Sequence, residues 1–129
     1  MKQAVMHRAL ISVGSNIEPE KNIAWAQRLL AEEQTLVRAA TTIQTPPDCY
    51  QNQPDFLNTA FLVETAADFE TFNAYLKAVE VRMGRVKGPI KSGPRVIDLD
   101  IIIWDGEVVH EDYPEKTYVS IPIDQILQD

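Results

Sequence analysis

Two aspartates set at i and i+2 inside an apolar run constrain this chain more than any other feature. The run is Gly93-Pro94-Arg95-Val96-Ile97-Asp98-Leu99-Asp100-Ile101-Ile102-Ile103. In an extended strand alternate side chains share a face, so Asp98 and Asp100 point one way while Ile97, Leu99 and Ile101 point the other. A fold that accepts this segment must bury one face of a sheet and leave acids on the opposite face. Two carboxylates side by side on a half-buried strand are expensive unless cationic charge sits between them. Arg95, three residues before Asp98 and behind a Gly-Pro turn, supplies one such charge. The combination fits a site for one or two hard divalent cations that hold a phosphorylated ligand. Spacing alone keeps a second reading open, in which the pair is a solvated strand face or is neutralised by nearby arginines.

Charge narrows the class of ligand. With 12 Lys+Arg against 19 Asp+Glu the formal net charge is -7, so no general basic field attracts nucleic acid. Locally the balance reverses: Arg82, Arg85, Lys87, Lys91 and Arg95 crowd positions 82–95. A basic island in an acidic protein suits a small polyanion better than a polymer. The 129 residues suffice for one domain, 1–129, with a real core, and 45% hydrophobic with 24% charged residues is the ordinary balance of a soluble globular protein. The single cysteine, Cys49, rules out an internal disulfide and fits a reducing compartment. No apolar run approaches the roughly 18 residues of a membrane span, and residues 1–7 lack the pattern of a secretory signal. The expectation is a cytoplasmic protein with no membrane partner, a monomer by default.

Periodicity gives the order of elements. Arg8 to Val13 is a short apolar strand, ended by the turn trio Gly14-Ser15-Asn16. Pro19 to Glu33 places Ile23, Ala26, Leu29 and Leu30 at helical spacing, with Pro19 in the first turn. Leu36 to Gln44 is a β-rich run closed by Thr45-Pro46-Pro47, and a polar loop follows to Asp55. Phe56 to Glu64 reads as an edge strand, and Asp68 caps a helix to about Met83. Ile97 to Asp105 is a long strand that turns at Asp105-Gly106 into Glu107 to His110. The order β-α-β-β-α-β predicts an α+β, ferredoxin-like arrangement with two helices on one face of an antiparallel sheet. The tail from Tyr118 reads as a strand-like piece and one or two helical turns, and the second sheet face is left to the loops 45–55 and 85–95.

Those loops carry the remaining candidate chemistry. The segment 84–95 mixes Gly84, Gly88 and Gly93 with its basic residues. It is either a solvated connection or a lid in which glycine supplies hinge freedom and arginine supplies bidentate donors for phosphate. In Gln53-Pro54-Asp55-Phe56-Leu57-Asn58 an amide closes an aromatic segment, so a planar heterocycle can be flanked there with Asn58 on its edge. The plainer alternative is a core Phe56 with Asn58 satisfying the backbone. Glu80 lies on a helix that can face the site or solvent. Cys49, His7 and His110 show no partner pattern.

Taken in order, Gly14-Ser15-Asn16, Thr45-Pro46-Pro47, Gln53 to Asn58, Glu80, Gly84-Arg85 and Gly93-Pro94-Arg95-Val96-Ile97-Asp98-Leu99-Asp100-Ile101 resemble the 6-hydroxymethyl-7,8-dihydropterin pyrophosphokinase family of folate biosynthesis. The likeness covers about residues 8 to 105. It implies transfer of diphosphate from ATP to the hydroxymethyl group of the pterin, leaving AMP, with ATP as co-substrate. It further implies that Asp98 and Asp100 hold two magnesium ions on the ATP phosphates. Arg85 and Lys87 would neutralise charge on the phosphoryl group under attack. Arg95 and Glu80 would position ATP, Thr45, Pro46 and Asn58 would read the pterin edge, and Phe56 stands where the family usually has tyrosine. In the tail, Lys116 falls at a family arginine that binds ATP and Tyr118 at the aromatic that stacks on the pterin. Ser92 replaces the usual tryptophan, and the Pro-His-Pro-like segment has no counterpart. Retention of the acid pair favours a pyrophosphokinase. The loss of the histidine segment and of the tryptophan at Ser92 favours a non-catalytic homologue that binds a pterin-like ligand or a protein partner. Transfer to another small alcohol is the third reading.

Overall fold

The computed structural model describes residues 5–48, 52–85 and 93–128. The chain runs β1 (His7–Ser15), α1 (Pro19–Glu33), β2 (Thr35–Ala39), β3 (Ile43–Thr45), β4 (Phe56–Thr65), α2 (Phe69–Arg82), β5 (Asp98–Trp104), β6 (Glu107–Val108) and α3 (Thr117–Gln128). Six strands form one antiparallel sheet in the order β2-β4-β1-β5-β6, with β3 also pairing β4. With β2, β4, β1 and β5 as the four principal strands, this is the ferredoxin-like order anticipated from the element sequence.

Alternation along the three central strands builds two cores. Ala9, Ile11 and Val13 of β1, Phe61 and Val63 of β4, and Leu99 and Ile101 of β5 pack against Leu30 of α1 and Phe72 and Leu76 of α2. Leu10, Ala60, Ile102 and Ile103 face the other way, onto Val119, Ile123 and Ile126 of α3. The pairing of β1 with β5 slips between Leu10 and Ile11. This bulge reverses parity, so Ile102 and Ile103 both meet α3 while Trp104 returns to the helix side. On the outside of the helical layer, Glu33 of α1 accepts hydrogen bonds from both Arg82 terminal nitrogens at 2.8 Å and from the Tyr75 hydroxyl at 2.7 Å.

Local signals fall where sequence placed them at three points. Asp68 accepts from the Thr71 amide at 2.8 Å and so caps α2. Pro19 opens α1. Asp105 and Gly106, both at positive φ, make the tight turn between β5 and β6.

Four expectations are corrected. β4 lies between β2 and β1 and is therefore interior, not an edge. The run from Leu36 to Gln44 is two strands, because after Ala40, whose N–H still donates to the Ala60 carbonyl, Gln125 of α3 takes the Thr41 amide. β1 continues through Gly14 and Ser15, which pair with Asn58 and Leu57 instead of turning. Finally, α3 is one helix of 12 residues and covers part of the second face. Pro122 lies inside this helix and lacks an amide hydrogen, so one helical bond is missing. Burial of Val119, Ile123 and Ile126 at helical spacing outweighs that lost bond. His7 also has partners: its ring stacks on Trp104 at 5.0 Å and meets the Asp105 carboxylate at 2.7 Å.

Candidate active site

The sheet face not covered by α1 and α2 is small and polar at one end. There β1 presents Ser12 and Gly14, which register against Asp100 and Asp98 of β5 on one side and Ala60 and Asn58 of β4 on the other. The short side chains of β1 leave a floor between taller neighbours, and a cleft of about 190 Å³ opens above it. Asp98, Asp100 and Arg95 line one end. Thr45, Pro46, Phe56, Asn58 and Tyr118 are also among its lining residues.

Asn16 fixes the rim. Its amide nitrogen donates to the Gln53 side chain at 2.8 Å and to the Pro54 carbonyl at 3.1 Å. Its Oδ1 accepts from the Arg95 amide at 2.8 Å, and its own backbone N–H donates to the Arg95 carbonyl at 3.1 Å. One buried side chain thus ties the end of β1 to the segment before β4 and to the segment before β5. Sequence reading missed this role; the available signal was an asparagine directly after a strand that has no helix cap to make.

At the other end of the floor, the Asn58 amide nitrogen donates to Thr45 Oγ1 at 2.6 Å. Gly14 faces this pair so closely that a Cβ there would stand 2.9 Å from Asn58 Oδ1. Gly14→Ala is therefore expected to cost about 1–3 kcal/mol by overpacking. Asn58→Ala in the same chain removes the obstructing oxygen, so the double variant should lose less than the sum in urea melts. Simple additivity would show that the contact is not limiting.

Beneath the acid end lies a chain of alternating charges. Asp98 Oδ1 meets Arg85 Nη1 at 3.1 Å, and the same nitrogen meets Glu80 Oε1 at 2.5 Å. Glu80 Oε2 meets Lys77 Nζ at 3.2 Å, and Lys77 Nζ meets Asp100 Oδ1 at 3.0 Å. The reason these helix residues reach β5 is topological. β6 pairs only with Ile103 and Trp104, so among the described residues no strand neighbours the outer edge of β5 at Leu99. Glu80 takes the Leu99 N–H at 2.7 Å and Lys77 donates to the Leu99 carbonyl at 2.7 Å, standing in for that strand. Glu80 is only 3% exposed, and its three bonds are all to protein groups.

The electrostatics follow from the crowding. Burial, with the neighbouring Asp100 charge behind it, pushes the Asp98 carboxyl up to about 6 against the opposing pull of Arg85. For Lys77, burial pulls the ammonium down, but Asp100 and Glu80 outweigh it and the net shift is upward. The two aspartates offer carboxylate oxygens from one strand face, the donor chemistry a hard divalent cation takes. Among the described residues no group of three or more His, Cys, Asp or Glu could hold a metal ion unaided. The pair fits an ion that takes its other ligands from water and phosphate.

Most of the residues singled out from sequence thus converge on the cleft. Glu80 and Arg85 lie behind its acidic end. Lys116 pairs with Asp48, a lining residue, at 2.9 Å. Lys87, Lys91, Ser92, Cys49 and most of the basic loop lie outside the described residues. Lys77 had not been singled out at all, since a helical lysine reads as solvated.

A family model described as 7,8-dihydro-6-hydroxymethylpterin-pyrophosphokinase (HPPK) matches residues 10–128. The chain belongs to this family. Among its relatives is a 2-amino-4-hydroxy-6-hydroxymethyldihydropteridine pyrophosphokinase of Methylorubrum extorquens, 30% identical over 96% of this chain and 85% of that protein. The Bacillus subtilis protein of the same name is 29% identical over 93% of this chain and 78% of its own length. A mitochondrial folate synthesis bifunctional protein of Pisum sativum is 33% identical over 92% of this chain, but the chain spans only 25% of that protein. Within the HPPK family, then, the chain matches most of the length of two bacterial proteins and one part of a larger plant one. No helix of the described residues is long and apolar enough to cross a membrane.

Proposed function

We propose that the chain transfers diphosphate from ATP to the hydroxymethyl group of 6-hydroxymethyl-7,8-dihydropterin, giving AMP. What carries the reading is one cleft with the acid pair at one end and an amide–hydroxyl pair flanked by aromatic residues at the other. A flat heterocycle fits between Phe56 and Tyr118, with Asn58 and Thr45 on its edge and Pro46 as a rigid wall. Its substituent then extends along the floor of Ser12 and Gly14 toward Asp98 and Asp100.

Asp98 and Asp100 would hold magnesium, two ions in this reading, whose charge screens the ATP phosphates and withdraws electrons from the phosphorus under attack. Arg95, held at its backbone by Asn16, supplies a guanidinium beside the phosphates. Arg85, now shared between Glu80 and Asp98, is near enough to turn toward developing charge, with Lys87 on the same loop. Glu80 contributes by fixing Arg85, and Lys116, paired with Asp48 of the cleft lining, would offer a cation to ATP. Such a transfer needs positioning and charge stabilisation more than covalent help.

The test is an AMP-release assay with ATP, magnesium and the hydroxymethyl pterin. AMP formed in proportion to pterin consumed is the expected result. No AMP together with calorimetric pterin binding would replace this reading by a pterin-binding homologue without turnover. No AMP and no binding would remove both.

A further inference from the structure

We propose that Lys77 is a resident cation of the acid pair, which occupies Asp100 before a divalent ion arrives and is displaced when one binds. The inference rests on the reading of Asp98 and Asp100 as metal-bearing residues. Lys77 Nζ lies among three oxygens, at 2.7 Å from the Leu99 carbonyl, 3.0 Å from Asp100 Oδ1 and 3.2 Å from Glu80 Oε2. An ammonium has three N–H bonds, so all its donors are used and the geometry resembles a small cation in an oxygen cradle. A divalent ion on Asp100 would compete with the ammonium for the charge of the same carboxylate and would repel it at close range.

Charge balance points the same way. Asp98, Asp100 and Glu80 with Arg85 and Lys77 leave one net negative charge in the cluster. Withdrawal of the ammonium leaves two, the complement of a single divalent ion. The Lys77 side chain is 42% exposed, so its stem can leave without opening the core, whereas Glu80 at 4% cannot. Lys77 would thus be a positioning residue: it keeps Asp100 and the open edge of β5 in place, and it sets how strongly the site takes metal in the absence of nucleotide.

The experiment titrates the full chain with Mn2+ alone and reads free Mn2+ by electron paramagnetic resonance, with neither ATP nor pterin present. Lys77→Gln keeps a donor for the Leu99 carbonyl but removes the charge, and should tighten Mn2+ binding by about tenfold. Lys77→Arg keeps the charge and should stay near the original affinity. Asp100→Asn added to Lys77→Gln should erase the gain, which places it on Asp100. A merely structural lysine would give the opposite sign, since loosening β5 weakens binding. Equal or weaker binding by Lys77→Gln, or a gain that survives Asp100→Asn, would overturn the proposal. The unmodified protein gives an independent check, because the Lys77 ammonium resonance should shift as Mg2+ saturates the site, and an unmoved resonance would count against displacement. These readouts need no turnover. Absent AMP release with the gain intact strikes only the pyrophosphokinase reading, and AMP release without the gain strikes only the role of Lys77.

Discussion

Asp98→Asn is expected to lower AMP release on the order of 10³-fold while making the folded chain more stable at neutral pH. Both effects have one cause. Burial disfavours the charged form of Asp98 first, the charges of Asp100 and Glu80 add to it, and only Arg85 and, more weakly, Lys77 oppose them. Its carboxyl is therefore raised from 3.8 to about 6, so the folded state binds this proton more tightly than the unfolded chain. The sign follows from linkage: where the folded state holds more protons, stability falls as pH rises. The loss accumulates between about pH 4 and pH 6 and is complete above that window. The side chain is 39% exposed, and solvent screening keeps the magnitude modest. Asparagine keeps the shape and removes the charge. Melting curves at pH 4 and pH 7 should show the difference between variant and parent growing with pH, in favour of the variant. A variant no more stable than its parent at pH 7 would mean that Arg85 compensates Asp98 fully. Turnover near the original rate would remove Asp98 from the metal site.

Glu80→Ala should give the largest loss of stability among the site residues, about 3–5 kcal/mol. The carboxylate is buried and joins Arg85, Lys77 and the Leu99 amide. Its removal takes from Arg85 and Lys77 the acid between them, leaving each with one carboxylate, and leaves an edge N–H with no acceptor. For a chain of this size such a loss lowers the melting temperature by roughly 10 °C or more. Glu80→Gln retains an oxygen for Leu99 and should recover part of the loss, so thermal melts of the two variants separate the edge bond from the charge. A loss below about 1 kcal/mol for Glu80→Ala would place Glu80 with ordinary surface pairs. The two predictions oppose each other in sign because Asp98 is a charge in excess and Glu80 is the one that balances its neighbours.

These residues also show where sequence stops being informative. Strand periodicity alone put Asp98 and Asp100 on one face and Ile97, Leu99 and Ile101 on the other, and the cores divide accordingly. Asp68 at its cap and the positive-φ pair Asp105-Gly106 at its turn are equally local, since cap and turn geometry are set within three residues. Lys77 was not legible, because its partner Asp100 is 23 positions away and depends on β5 having, among the described residues, no outer neighbour at Leu99. Asn16 joins segments 37 and 79 residues distant, and no pattern within its own turn announces that. The tail reads from sequence as a strand-like piece with one or two helical turns for a related reason: the apolar sheet face on which it packs as one helix appears only when β1, β4 and β5 are assembled.

By itself, then, the sequence determined the element order, the common face of the two aspartates and the family motif, all of which depend on periodicity and short-range geometry. The tertiary structure alone decided that the pair sits at an open strand edge whose hydrogen bonds are completed by Glu80 and Lys77 from α2. The physical reason is that an unpaired strand edge must find donors and acceptors wherever the packing brings them. Here it found an acid and a base one helical turn apart, and in doing so placed a cation against Asp100.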